Sequence, residues 1–146
     1  LTPTKLCLLF GKDMRRQRHG YILNMSSVTA WLASPGINVY GATKCYLKHF
    51  SRGLHTELRD YGVNVTAVCP GSVDNDLYKR RQLLVRLGIM LPPEKLARRA
   101  IHALFRGKAV LVPGLLNRLV LALTPLIPHS VIRRVARRTN ILPLHE

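Results

Sequence analysis

Tyr40-Gly-Ala-Thr-Lys44 stands between two apolar runs, Tyr21-Ile-Leu-Asn-Met-Ser-Ser27 before it and Val63-Asn-Val-Thr-Ala-Val-Cys69 after it, the second ending in Pro70-Gly71. A short continuous apolar run is the pattern of a strand buried on both faces of a parallel sheet, and the β-branched content of the second run agrees. From Tyr40 to Tyr61, Leu47, Phe50, Leu54 and Leu58 share one face of a helix that Gly62 closes. Thr29 to Val39, with Ser34-Pro35-Gly36, reads as a loop. Strand, helix, strand is therefore the local plan.

The flanks extend the plan. Pro3 to Arg18 places Leu6, Leu9, Phe10 and Met14 at helical spacing, with Gly20 as the stop. Residues 72–91 are irregular and mix charge with leucines. Pro92-Pro93-Glu94 opens another helix with face residues Leu96, Ala100, Ile101 and Leu104, ended by Gly107. Ala109 to Val112 is a third short strand. This alternation predicts an α/β fold with an open parallel sheet over residues 1–112, followed by a proline-broken, apolar and basic tail, residues 113–146.

In such a sheet ligands bind beyond the carboxyl ends of the strands. Ser27 and Pro70-Gly71 both belong to that edge. Tyr40 and Lys44, four residues apart, share one helix face. These residue types suit carbonyl reduction. The alkoxide left by hydride addition needs a proton; a free phenol titrates near ~10, and an adjacent ammonium favours phenolate. Tyr40 is the expected proton donor, Lys44 its partner, and Ser27 the hydrogen-bond donor to the substrate oxygen. Pro70-Gly71 offers a turn of little bulk beside which a flat ring fits. Tyr-x-x-x-Lys or Ser-Ser alone carries little weight, but their conjunction at this spacing is strong.

Asn24-Met-Ser-Ser27, Tyr40-Gly-Ala-Thr-Lys44 and Pro70-Gly71 resemble the catalytic half of the short-chain dehydrogenase/reductases, over Pro3 to about Val112. The resemblance implies the C-terminal half of a Rossmann-like doubly wound parallel sheet, with about three strands and flanking helices. It also implies NADP or NAD as cofactor, of which NADP is slightly favoured here, and Ser27, Tyr40 and Lys44 as catalytic residues. The cofactor-binding residues it implies are Tyr40, Lys44, Pro70, Gly71, Val73 and Asn75, with Asn75 where the family has a threonine. Homo-oligomers would form through helices 3–18 and 40–61. The family's glycine-rich turn and its asparagine before the first helix are missing from these residues. Leu1 opens in what reads as mid-helix, so the expectation is a chain cut from a longer one, poorly stable alone and weak in binding dinucleotide.

Apolar residues make up 47% of the 146, a globular composition. Cys7, Cys45 and Cys69 form no CxxC and read as buried reduced thiols of a cytoplasmic protein. The six histidines show no ligand spacing, so no metal site is expected. Net charge is +16; residues 77–146 carry fourteen Lys/Arg against two Asp/Glu. That excess points to an anionic partner or to a merely basic surface. The scattered arginines, without interleaved aromatics, argue against nucleic acid. Residues 72–91 lie where the family that this chain resembles carries its substrate-binding loop, so the resemblance, with their apolar content, implies a lipophilic carbonyl or alcohol substrate. The tail is too short and too broken by Pro125 and Pro128 to span a membrane. It either covers the pocket or lies on an anionic membrane surface. The competing functions are a catalytically inactive scaffold and a basic membrane-surface module.

Overall fold

The computed structural model describes residues 2–31, 36–71, 73, 91–126 and 130. Its three strands, β1 (Gly20–Met25), β2 (Val63–Val68) and β3 (Val110–Leu111), form one sheet in the order β1-β2-β3. Both pairings are parallel, with Gly20 opposite Val63 and Ala67 opposite Val110. Parallel neighbours need a crossover. One is the helix α2 (Asn38–Leu58), and α3 (Pro93–Phe105) lies in the other. Helix α1 (Thr2–Gln17) precedes β1, and α4 (Leu115–Leu123) follows β3.

The helices lie in two layers. Cys7 of α1 and Leu54 and Leu58 of α2 pack with Ile22, Val63 and Val65 on one face of the sheet. On the other face, Leu96, Ala100 and Ala103 of α3 pack with Val68 and Leu111. β2 is the central strand, and every residue in it except Asn64 is buried. β1 is not buried on both faces as expected. It alternates, with Tyr21 39% and Met25 43% exposed, because the face they share is only partly covered, Phe105 of α3 meeting Tyr21 edge-on while the other face is packed by α1 and α2.

The helix faces differ from expectation for related reasons. α1 meets the sheet through Cys7, Gly11 and half-buried Met14, small or pliable groups that allow close approach, whereas Leu6, Leu9 and Phe10 face solvent. In α3, Ala103 replaces Ile101 in the buried set, and Ile101 is exposed. In α2, Leu54 and Leu58 are buried but Leu47 and Phe50 only half so; the rest of the buried set is Gly41, Lys48, Ser51 and His55. Arg18, with φ 53, ends α1 rather than Gly20, which has no room for a Cβ because Met14 fills the space. Cys45 is half-buried, not buried like Cys7 and Cys69.

Candidate active site

The two long strands stay joined beyond their ends. The Ser26 N–H donates to the Val68 carbonyl at 2.7 Å, and the Val28 N–H to the Pro70 carbonyl at 3.0 Å. Ser27 is thereby held beside Pro70 at the carboxyl edge of the sheet. The chain next makes a single 3-10 turn, Val28–Trp31, closed by the Ala30 N–H donating to the Ser27 carbonyl at 3.1 Å. Ser27 is 7% exposed, and its Oγ accepts a hydrogen bond from the Thr29 N–H at 3.2 Å. A hydroxyl both donates and accepts. Among the described residues its O–H finds no acceptor, so the donor that a substrate oxygen requires is unspent.

Helix α2 brings the other two groups to this edge. Lys44 Nζ donates to the Met25 carbonyl at 2.8 Å, and the Ser26 hydroxyl donates to the Lys44 carbonyl at 2.7 Å. One of the three ammonium protons is committed and two are left. Lys44 Nζ lies 5.5 Å from the centroid of the Tyr40 ring, one helical turn away. Tyr40 is 47% exposed, and among the described residues its phenol has no hydrogen-bond partner. The three sequence-predicted catalytic residues therefore gather at one sheet edge, two with donors uncommitted and the third, Tyr40, with its phenol open to solvent.

Of the residues expected to hold cofactor, Pro70 is buried and Gly71 half-buried at the end of β2. A Cβ on Gly71 would stand 2.8 Å from Asn117 Nδ2 of α4. The tail helix thus sits directly on this turn, with Asn117 Nδ2 donating to the Pro113 carbonyl at 2.9 Å. Val73 is half-buried, bridged to Leu91 and packed on the Val68–Leu96 cluster. Asn75 and the other residues of the expected substrate loop, 74–90, lie outside the described residues, as does the end of the tail.

Sequence reasoning missed a second set of groups. Asn24 Nδ2 donates to Ser51 Oγ at 2.9 Å, a ring nitrogen of His55 lies 2.9 Å from the Val65 carbonyl, and buried Lys48 donates to the Ala30 carbonyl at 3.1 Å. Lys44, Lys48, Ser51 and His55 thus form a polar stripe on the sheet side of α2. Burial lowers Lys48 below the usual lysine range, an effect that Cys45 and Cys69 partly offset. Burial likewise raises the Cys69 thiol, an effect that the nearby Lys48 and Lys44 charges partly offset. The 4,3,4 spacing of polar residues was the available signal.

The family model for short chain dehydrogenases matches residues 2–83. The chain belongs to the short-chain dehydrogenase family. Serine 3-dehydrogenase of Rhizobium radiobacter is 42% identical over 72 residues, which are 49% of this chain and 27% of that protein. The 3-oxoacyl-[acyl-carrier-protein] reductase of Chlamydia trachomatis is 28% identical over 120 residues, 77% of this chain and 48% of that one. This short-chain dehydrogenase chain thus spans half or less of the length of these curated relatives. Among solved structures, a short-chain dehydrogenase from Streptomyces avermitilis superposes with a TM-score of 0.67 at 24% identity, covering 95% of this chain and 57% of that one. One from Sphingobium yanoikuyae, in complex with NADPH, gives 0.65 at 23% identity, covering 99% and 54%. These likenesses show a Rossmann-type fold. No metal-binding cluster and no membrane-crossing helix occur among the described residues.

Proposed function

We propose that this chain carries the acid/base and substrate-facing half of an NAD(P)-dependent oxidoreductase that interconverts a ketone and a secondary alcohol, NADP being favoured over NAD. The observation that carries the reading is the junction at which Ser26, Met25 and Lys44 are cross-bonded, holding Ser27 and the Tyr40–Lys44 helix at one sheet edge. Two relatives are named for a dehydrogenation and a reduction at oxygen-bearing carbon, and one structural neighbour was solved with NADPH.

The residues present fit a dinucleotide. Lys44 has two N–H groups to offer ribose hydroxyls, and the Pro70-Gly71 turn presents little bulk. When bound, the nicotinamide supplies or accepts the hydride. The rest falls to the chain. The Ser27 O–H donates to the substrate oxygen and fixes its place. Tyr40 hands its proton to the same oxygen, or removes it in the reverse direction, and is open to solvent for reloading. Lys44 sets its charge one helical turn from the phenol, 5.5 Å from the ring centroid. The seat of Asn117 on Gly71 favours the tail as a cover for this edge rather than a membrane anchor.

Leu6, Leu9, Phe10 and Tyr46 leave an apolar patch on α1 and α2, 48%, 60%, 52% and 51% exposed, which we assign to a contact with a second copy. Leu9→Glu should lower the sedimenting mass. The 146 residues contain no glycine-rich phosphate loop and are expected to bind dinucleotide weakly by themselves.

The experiment is turnover of the natural polypeptide carrying these residues, with NADPH and a panel of 3-oxoacyl thioesters and aryl ketones, and with NADP and 3-hydroxy acids. Turnover lost on Tyr40→Phe supports the reading. NADPH binding without turnover of any of them would favour the inactive scaffold.

A further inference from the structure

Lys48 has no place in the mechanism above, yet it is only 4% exposed and, among the described residues, faces no carboxylate. Its surroundings are Cys45, Cys69 and Arg52. A buried ammonium is costly unless its donors are met. Here one turn of chain supplies what the described residues offer: the Ala30 carbonyl takes one N–H at 3.1 Å, and the Trp31 indole, its centroid 3.9 Å from Nζ, faces the charge. The Ala30 N–H in turn donates to the Ser27 carbonyl at 3.1 Å. Two hydrogen bonds in series therefore join Lys48 to Ser27.

The arrangement answers a mechanical need. Ser27 is fixed to the sheet by the bonds at Val68 and Pro70, whereas Tyr40 and Lys44 ride on α2. Their separation is constant only if the turn after Ser27 is fastened to that helix. We propose that Lys48 is a positioning residue for Ser27. Its ammonium clamps the Val28–Trp31 turn onto α2, one helical turn beyond Lys44, and holds the Ser27 hydroxyl in register with Tyr40. A lysine that only filled space would be replaceable by methionine, since the stems are alike; the clamp requires the charge.

The functional part rests on the oxidoreductase reading; the clamp itself does not. The test uses the natural polypeptide with NADPH and a 3-oxoacyl thioester as probe, comparing Lys48→Met, Lys48→Arg and Trp31→Leu. Amide exchange over residues 28–31 is measured beside kcat and the NADPH KM. Lys48→Met should speed that exchange about tenfold and lower kcat by about tenfold to a hundredfold, with the NADPH KM changed less than about twofold. Lys48→Arg should restore part of both. Exchange and kcat like wild type in Lys48→Met overturn the proposal, as does a raised NADPH KM with kcat intact. Should Lys48→Met fail to fold, Trp31→Leu decides: faster exchange with lower kcat supports the clamp, and wild-type values of both overturn it. If the unsubstituted protein turns over no substrate, the oxidoreductase reading fails, and the exchange data alone judge the clamp.

Discussion

Ser26 and Lys44 hold one another across the junction of β1 and α2: the serine hydroxyl donates to the lysine carbonyl at 2.7 Å, and the lysine ammonium reaches the Met25 carbonyl at 2.8 Å. The bond at Ser26 is part-buried and neutral, so Ser26→Ala should lower stability by about 0.5–1.5 kcal/mol. Denaturant melts read this directly. No change in midpoint would mean that the junction is held by Lys44 alone.

Tyr40 touches little that the fold needs. It is 47% exposed with no hydrogen bond from its phenol among the described residues. Tyr40→Phe should leave the melting temperature unchanged and lower turnover by about 10²–10⁴-fold, the usual worth of a positioned acid. A stable variant of undiminished turnover would remove Tyr40 from the mechanism.

Gly71 is confined by the tail as well as by any ligand. A Cβ there would lie 2.8 Å from Asn117 Nδ2 and 2.9 Å from its Oδ1. Gly71→Ala is expected to cost about 0.5–1.5 kcal/mol, because the Asn117 amide must swing aside and give up its hydrogen bond to the Pro113 carbonyl, and in the background of Asn117→Ala it should cost little. A double-mutant cycle with no coupling would show that α4 does not press on this turn.

Two buried groups give the alkaline range opposite slopes. The Cys69 thiol is raised above its ordinary 9.0 by burial. The unfolded chain therefore ionises first, and the contribution, full below 9.0, is lost as pH rises through the folded value. Lys48 is lowered below 10.5 by burial. The unfolded chain keeps its proton longer, so stability linked to Lys48 is lost as pH falls through the folded value and recovered toward 10.5. Melts stepped through this range should show a shallower loss above 9.0 in Cys69→Ala than in wild type, and no Lys48-linked recovery in Lys48→Met.

Gly53 lies inside α2, exposed, with nothing within 4 Å of the place that an alanine methyl would take. Gly53→Ala should stabilise the protein by about 0.5–1 kcal/mol through the lower chain entropy of the unfolded state. A lower midpoint would reveal a neighbour in the assembled protein at that face.

The elements and the meeting of Ser27, Tyr40 and Lys44 at one sheet edge were legible because each rests on local pattern: β-branched runs for β1 and β2, and a four-residue spacing for Tyr40 and Lys44. What escaped were consequences of packing. Lys48 among charged helix residues reads as solvated, and only the structure reveals that it turns inward to Ala30. Leu9 and Phe10 obey the helical period, yet α1 uses Cys7 and Gly11 against the sheet, since Gly11 lets Leu58 approach to 3.5 Å of its Cβ position. Exposure of Tyr21 and Met25 depends on what covers their face of β1, which the period of a strand does not encode.

The stripe on α2 spends its bonds largely on main-chain oxygens, those of Met25, Ala30 and Val65. Such acceptors persist whatever side chain stands at those positions. The seat of the helix therefore asks nothing of the side chains at Met25 and Ala30, and depends on the donors that Lys44, Lys48 and His55 bring to it.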